Sequence, residues 1–142
     1  MKVVASSCLL GFNTRYDGRD KKHDFSGFKA DVEFVPFCPE AEAGLGVPRE
    51  PIELVLMEDS SIRVLGKQSR EDFTERIEAC CRAKVAELKR DGVDCFVLKS
   101  RSPSCGLESP LHDSKGNVIG TAPGIWARIV AAEFPGVPRS TE

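Results

Sequence analysis

The chain has 142 residues, which is enough for one domain with a hydrophobic core. Hydrophobic residues make up 41% and charged residues 30%, as in ordinary globular proteins, and the net charge of −2 gives no electrostatic reason to expect nucleic-acid or lipid binding. No apolar run approaches the roughly 20 residues of a membrane span, and the N-terminal run is too short for a signal peptide. We therefore expect a single cytoplasmic domain over residues 1–142, with its last few residues frayed.

Short apolar and β-branched runs predict the strands. These runs cover residues 2–6, 32–37, 52–57, 61–65 and 93–98. A three-residue turn separates the third run from the fourth, which predicts a hairpin. The segment 107–116 is polar and predicts turns, and a short strand is expected over 117–119.

Three helices are predicted, over residues 40–44, 69–91 and 125–134. Pro39 at the first turn predicts the first, and the helical spacing of apolar residues predicts the other two. The helix over 69–91 is the longest, and Ser69 is expected to be its N-cap. The spacing of Phe25, Phe28 and Val32 predicts a further short helix, although Gly27 disfavours it.

Strands that alternate with helices predict an α/β fold, here a compact Rossmann-like domain with a mainly parallel central sheet flanked by helices. Ligands of such sheets bind outside the carboxyl ends of the strands. Cys8, Cys38 and Cys105 each follow a predicted strand. If those strands are parallel neighbours, the three thiols lie at the same sheet edge, and we expect the functional site there.

Six cysteines in a reducing cytoplasm are expected to be ligands, nucleophiles or core residues rather than disulfides. No Cys-x-x-Cys pair is present, so any metal site must be assembled from distant loops. Three converging thiolates fit either a catalytic zinc with an open position or an iron–sulfur cluster with one iron lacking a protein ligand. The alternative is three unrelated buried cysteines. Core positions are expected for the remaining ones: Cys80, Cys81 and Cys95.

Polar residues near these cysteines are further site candidates. Glu40 lies at a predicted helix start and is either a general acid/base or an ordinary first-turn glutamate. Ser102 and Ser104 either donate hydrogen bonds to sulfur or to substrate, or they serve the turn. The residue types alone leave these alternatives open.

Three residues shortly after Cys8 also merit attention. Arg15, Tyr16 and Asp17 are close enough in sequence to line the same cavity mouth, and Tyr16 is the only tyrosine in the chain. An ordinary turn would account for them equally well. We therefore treat them as candidate substrate-binding residues.

Four motifs together resemble a known family. They are Cys8-Leu9-Leu10-Gly11 with Arg15-Tyr16-Asp17-Gly18, then Cys38-Pro39-Glu40, then Pro48-Arg49 with Pro51-Ile52, and finally Lys99-Ser100-Arg101-Ser102-Pro103-Ser104-Cys105-Gly106. This set is similar to the bacterial 2-thiouracil desulfurase family, formerly a domain of unknown function (DUF523). The resemblance extends over nearly the whole chain.

The resemblance implies a cofactor and a reaction. The cofactor is a [4Fe-4S] cluster held by Cys8, Cys38 and Cys105, whereas zinc is the alternative that the residue types alone leave open. The iron without a protein ligand would take the sulfur of a thiolated pyrimidine or nucleoside such as 2-thiouracil. Water would replace that sulfur without a redox change, giving uracil and sulfide.

The resemblance also implies residue roles. Glu40 and Ser102 match the positions for acid/base and supporting roles, and Ser102 is preferred over Ser104. The chain departs from the family pattern at Asn13-Thr14, where many relatives carry a cysteine, and at Glu50, where relatives often carry a proline. Both departures flank the expected pocket.

A second hypothesis is a redox-sensing or metal-sensing module in which the cluster or zinc is the signal. A sensor is expected to carry a partner surface or a basic DNA-binding patch, and the sequence indicates neither. We therefore expect a small-molecule substrate and no nucleic-acid or membrane partner. The third hypothesis is a small α/β protein with core cysteines.

Overall fold

The computed structural model describes residues 1–25 and 31–142. Within these ranges eight strands form two four-stranded sheets accompanied by three α-helices. In chain order the elements are β1 (Lys2–Ser6), β2 (Glu33–Phe37), α1 (Pro39–Glu42), β3 (Ile52–Leu56), β4 (Ile62–Gly66), α2 (Thr74–Asp91), β5 (Cys95–Leu98), β6 (Ser109–His112), β7 (Val118–Ala122), α3 (Ile125–Glu133) and β8 (Arg139–Thr141). The short helix predicted from Phe25 to Val32 falls on 26–30, outside the described residues.

The first sheet has the order β2-β1-β5-β8, and all its strand pairs are parallel. Strand β1 is central, and Val3 and Val4 are fully buried. A short continuous apolar run is typical of a parallel strand covered on both faces, which is why β1 was predictable. This mainly parallel sheet flanked by helices confirms the predicted α/β fold class.

The second sheet has the order β4-β3-β6-β7. Strands β3 and β4 form the predicted antiparallel hairpin, and β3 pairs with β6 in parallel. Strands β6 and β7 form another hairpin where only turns and a shorter strand were predicted. Strand β6 is Ser-Pro-Leu-His and lacks the apolar alternation that marks a strand, so the prediction for 107–116 was wrong.

Helix α2 begins at Thr74 rather than at Ser69. The Ser69 hydroxyl accepts the Glu71 backbone N–H at 3.1 Å, so it closes a turn before the helix. The carboxylate of Asp72 accepts the Thr74 N–H at 2.9 Å just before the helix, and the N-cap itself is Phe73, which makes no side-chain capping hydrogen bond. The predicted N-cap at Ser69 is therefore wrong, because Ser69 belongs to the preceding turn.

Aromatic packing fixes α3 against the first sheet. The Trp126 ring lies 4.7 Å from the Phe37 ring and 5.8 Å from the Phe96 ring, measured between centroids. All three side chains are buried, and such large aromatic contacts dominate core energetics. The start of α3 is therefore held rigidly beneath the carboxyl edge of the sheet. Within the described ranges, no helix is long and apolar enough to cross a membrane.

The end of the chain is ordered by pairing, whereas fraying was expected. Strand β8 pairs with β5, with Phe96 opposite Arg139 and Leu98 opposite Thr141. The Glu142 carboxylate accepts hydrogen bonds from Lys99 Nζ at 2.6 Å and from the Ser100 backbone N–H at 2.7 Å. These partners lie some 40 residues away, and no local pattern announces them.

The Glu142 contacts predict a pH-dependent stability. Partial burial acts to raise the pKa of this carboxyl, but hydrogen bonds from Lys99 and Ser100 lower it from 4.5 to about 2. A carboxyl group whose pKa is lower in the folded state than in the unfolded state stabilises the fold. This contribution is present at pH values above the unfolded-state pKa and is lost as the pH falls through the folded-state pKa. We expect Glu142→Gln to lower the free energy of unfolding at pH 7 by about 1 kcal/mol.

The difference between Glu142→Gln and wild type should shrink as the pH falls from 4.5 towards 2. Urea unfolding of the reduced, metal-free protein at several pH values measures it, with the fluorescence of Trp126, the only tryptophan, as the signal. A difference that stays constant over this range would contradict the assignment.

Candidate functional site

The structure brings the three cysteines of the predicted site together. Cys8 lies in a 3-10 helix directly after β1, Cys38 directly follows β2, and Cys105 lies in the loop after β5. These strands are parallel neighbours, so their carboxyl ends meet at one edge. All three cysteines line a single cavity of about 410 Å³.

Local hydrogen bonds set the backbone of the first two cysteine segments. The 3-10 helix ends at Gly11, whose φ of 91° lets the chain turn back, and the Cys8 carbonyl accepts the Lys21 N–H at 2.9 Å. Cys38 is the N-cap of α1, and its N–H donates to the Glu42 carboxylate at 3.0 Å. Both sulfur-bearing residues therefore lie at well-defined turns.

The Cys105 loop is ordered by the Ser102 hydroxyl. This oxygen accepts the backbone N–H groups of Cys105 at 3.1 Å and of Ser104 at 3.3 Å. At the beginning of the loop, the Lys99 N–H donates to the hydroxyl of Ser6 at 2.9 Å, which ties the loop to the end of β1. The loop that follows β5 is thus fixed to the central strand.

The start of α3 supports the same loop from below. The Trp126 N–H donates to the Ser104 carbonyl at 2.7 Å, and the Gly124 N–H donates to the Gly106 carbonyl at 2.8 Å. A Cβ at Gly124 would lie 2.6 Å from the Ser104 carbonyl carbon, so only glycine permits this approach. The buried start of α3 therefore holds the loop that carries Cys105 in place.

Burial keeps the three sulfur atoms protonated in the metal-free protein. It raises the pKa of Cys8 to about 11 and that of Cys105 to about 12, and it also raises the pKa of Cys38. Mutual repulsion between Cys8 and Cys38 adds to the effect, while the positive charge of Lys99 opposes it at Cys8. Metal binding at this site must therefore displace protons.

The spacing of the thiols bears on which cofactor they fit. Among the described residues, no three His, Cys, Asp or Glu side chains converge closely enough to hold one metal ion. A zinc ion needs sulfur ligands that meet at about 2.3 Å from one point. In a [4Fe-4S] cluster each cysteine binds a different iron, so the sulfur atoms surround a volume instead. Three thiols around a 410 Å³ cavity are compatible with a [4Fe-4S] cluster.

Glu40 places a buried carboxylate in the cavity wall. Its side chain is about 10% exposed. Its Oε1 accepts a hydrogen bond from Arg49 Nε at 3.1 Å, and its Oε2 accepts one from Ser104 Oγ at 2.7 Å. It is the sole carboxylate among the described residues that line the cavity.

The two serines have different contacts. Ser104 is buried and contacts Glu40 directly, whereas the Ser102 oxygen faces two backbone amides and lies 3.1 Å from Ser104 Oγ. The sequence preferred Ser102, but the structure places Ser104 against the acid. Which serine of a short loop faces a pocket depends on the backbone of that loop, which residue types do not specify.

The candidate substrate-binding residues divide into two groups. Arg15 and Tyr16 line the cavity, with the guanidinium carbon 5.8 Å from the ring centroid. Asp17 is not among the described residues that line it. The Asp17 carboxylate instead accepts the Arg19 N–H at 3.0 Å and closes a turn.

Arg49 is a site residue that the sequence reasoning missed. Its segment lies between the predicted helix over 40–44 and the predicted strand over 52–57, and the structure buries its guanidinium beside Glu40. It also donates to the carbonyls of Gly46 and Thr14, each at 2.8 Å. The available signal was its place in the Pro48-Arg49 motif, one of the four that carry the family resemblance.

The hydroxyl group of Thr14 makes no hydrogen bond to the described residues. Its oxygen is buried, and Thr14 lines the cavity. An unpaired buried hydroxyl costs about 1–3 kcal/mol relative to one that is hydrogen-bonded. One of the two departures from the family pattern thus lies in the cavity wall.

Comparison with known proteins identifies the family. A family model described as 2-thiouracil desulfurase matches residues 3–142. The chain belongs to the 2-thiouracil desulfurase family. This confirms the resemblance stated from the motifs.

One curated protein and one solved structure are also similar to this desulfurase-family chain. The uncharacterized protein YbbK of Bacillus subtilis (strain 168) is 31% identical over 109 residues, which is 73% of this chain and 72% of YbbK. The solved structure of the [4Fe-4S]-dependent thiouracil desulfidase TudS (DUF523Vcz) matches with a TM-score of 0.78 at 26% identity. That match covers 99% of this chain and 90% of TudS.

All four motifs that carry the resemblance meet at one place in this desulfurase-family chain. Each contributes residues to the cavity wall, although long stretches of sequence separate them. From the third motif these residues are Arg49, Pro51 and Ile52. The motifs therefore describe one cavity rather than four independent turns.

Proposed function

We propose that the chain is a [4Fe-4S]-dependent desulfidase that removes sulfur from a thiolated pyrimidine such as 2-thiouracil. The observation that carries this proposal is that Cys8, Cys38 and Cys105 surround one cavity whose wall also holds the buried carboxylate of Glu40. Family membership and the likeness to TudS, which is described as a [4Fe-4S]-dependent thiouracil desulfidase, support the same reaction.

The three cysteines would hold the cluster, each through one sulfur. When bound, such a cluster supplies an iron without a protein ligand, a Lewis acid suited to soft sulfur. The remaining volume of the cavity, lined by Arg15 and Tyr16, would hold the pyrimidine ring. The tyrosine offers an aromatic surface and the arginine offers donors to ring carbonyl oxygens.

Glu40 is proposed as the general acid/base. In the net reaction one water adds oxygen to the ring carbon, the carbon–sulfur bond breaks, and the two protons of that water leave with sulfide. A carboxylate beside the cavity can take the first proton from water and return it to the leaving sulfur. Ser104 donates to Glu40 at 2.7 Å, and Ser102 continues this chain at 3.1 Å, so both hydroxyls can orient the acid or pass a proton.

We also propose that the chain acts in the cytoplasm as a single domain. The six cysteines are thiols, which fits a reducing cytoplasm. The family match over residues 3–142 supports a chain that acts as one domain. The likeness to TudS supports the cluster over zinc, and the carboxylate of Glu40 in the cavity wall supports catalysis over sensing.

Anaerobic reconstitution with iron and sulfide tests the function. We expect visible absorption, about four iron atoms per chain, and release of sulfide from 2-thiouracil with formation of uracil. A colourless protein that binds zinc would overturn the cofactor assignment. A loaded cluster without sulfide release from 2-thiouracil or 4-thiouridine would overturn the reaction and favour the sensing module.

A further inference from the structure

We propose that Arg49 is a positioning residue that holds Glu40 and the proposed ligand Cys38 in a fixed arrangement relative to each other. The inference rests on the proposed function. Arg49 is not offered as a catalytic residue, because its contacts are with other groups of the chain. Its effect is exerted through Glu40 and Thr14.

The guanidinium reaches three separate segments with three different nitrogen atoms. Nε donates to Glu40 Oε1 at 3.1 Å, Nη1 to the Gly46 carbonyl at 2.8 Å, and Nη2 to the Thr14 carbonyl at 2.8 Å. Its own backbone N–H donates to the Tyr16 carbonyl at 2.7 Å. Helix α1, the loop after it and the loop after Cys8 are therefore joined by one residue.

Burial makes the contacts of Arg49 difficult to replace. The Arg49 side chain is about 5% exposed, so water cannot replace a lost contact easily. A planar guanidinium holds its donors in a fixed fork, whereas a lysine ammonium is a single point charge on a flexible stem. A lysine here could keep the charge beside Glu40, but it could not also hold the two carbonyl oxygens.

The same junction extends to the sulfur of Cys38. In the metal-free protein the Cys38 thiol donates to the Thr14 carbonyl at 3.7 Å, and Arg49 Nη2 lies 4.0 Å from the sulfur. As a thiolate ligand Cys38 no longer donates to Thr14, but its sulfur can still accept from Arg49 Nη2. The distance from the acid to the cluster would be set by this arrangement, since Glu40 and Cys38 meet the same guanidinium.

The substitution Arg49→Lys tests the positioning role. We expect iron content and visible absorption close to those of wild type, an approximately 100-fold lower kcat with 2-thiouracil, and little change in KM. The reduced cluster should give a shifted electron paramagnetic resonance spectrum, because the contacts at Cys38 change. The matched control is Arg128→Lys, which alters an exposed arginine paired with Glu78 at 2.6 Å, and which should match wild type.

Chemical rescue separates positioning from a general loss of structure. In Arg49→Ala, added guanidinium at concentrations well below denaturing should restore at least a tenth of the wild-type kcat, and ammonium at equal concentration should not. An unfolded or misfolded variant would gain nothing from guanidinium. Rescue by ammonium to the same extent would reduce the role of Arg49 to its charge and would overturn the proposal.

The outcomes distinguish this inference from the proposed function. Full kcat in loaded Arg49→Lys would overturn the positioning role alone, and so would loss of the cluster in both variants without rescue. Absent turnover in wild type would count against the proposed reaction. In that case the electron paramagnetic resonance spectrum still tests the contact between Arg49 and Cys38. Identical spectra for Arg49→Lys and wild type would overturn that contact.

Discussion

Alanine at any one of Cys8, Cys38 or Cys105 is expected to abolish the visible absorption of the reconstituted protein and to reduce sulfide release to background. Two remaining thiolates leave two irons of the cluster without a protein ligand. Changes outside the ligand set already cost 10–100-fold in metal affinity or activity, so we expect the loss of a ligand to exceed about 100-fold. Iron content, absorption and sulfide release measured on the same samples check this result.

The other cysteines provide matched controls for the same substitution. Cys80 is half-buried on α2, and Cys95 is half-buried at the start of β5, the end of that strand away from the Cys105 loop. Cys80→Ala and Cys95→Ala should each bind iron and release sulfide like wild type. A cluster lost in Cys95→Ala but kept in Cys105→Ala would refute the proposed ligand set.

Glu40→Gln is expected to keep the cluster and to lower kcat by about 10²–10⁴-fold, the usual contribution of a general acid/base. Glutamine preserves the size of the side chain but removes the group that carries the proton. It also leaves the buried Arg49 guanidinium without a counter-charge, which destabilises the fold by roughly 3–5 kcal/mol. Kinetics must therefore be measured where both proteins remain folded.

Two further variants sharpen that experiment. Ser104→Ala removes the 2.7 Å hydrogen bond to Glu40 together with the contacts of the same hydroxyl with Ser102 and with the Cys105 sulfur, and it should reduce kcat by about 10-fold. Glu78→Gln makes the same chemical change at a half-buried position of α2 and should have no effect on turnover. An unchanged kcat in loaded Glu40→Gln would remove Glu40 from the mechanism.

The parts of the fold that were predictable are those with a local signal. Strand β1 is a short apolar run, and the hairpin of β3 and β4 consists of two such runs around a turn. Strands β6 and β8 carry no such signal, because β6 is polar and β8 is short and half-exposed. They are strands because β3 and β5 offer partners, and those partners are distant in sequence.

The site was predictable to the same extent. Strand ends locate Cys8, Cys38 and Cys105, because neighbouring parallel strands finish at the same edge. The motifs add Glu40, which α1 carries into the cavity wall. The placement of Arg49 could not be predicted, since it depends on how three loops fold over one another rather than on any periodicity.

The position of the cysteines around the central strand has a consequence for the stability of the protein. A group bound by Cys8, Cys38 and Cys105 would cross-link the ends of β1, β2 and β5, and ligands that bind only the folded state stabilise it. Loss of that group would remove this cross-link and the stability that it adds, while the strands stay paired with one another. Molecules that carry the group should therefore resist unfolding better than molecules that have lost it.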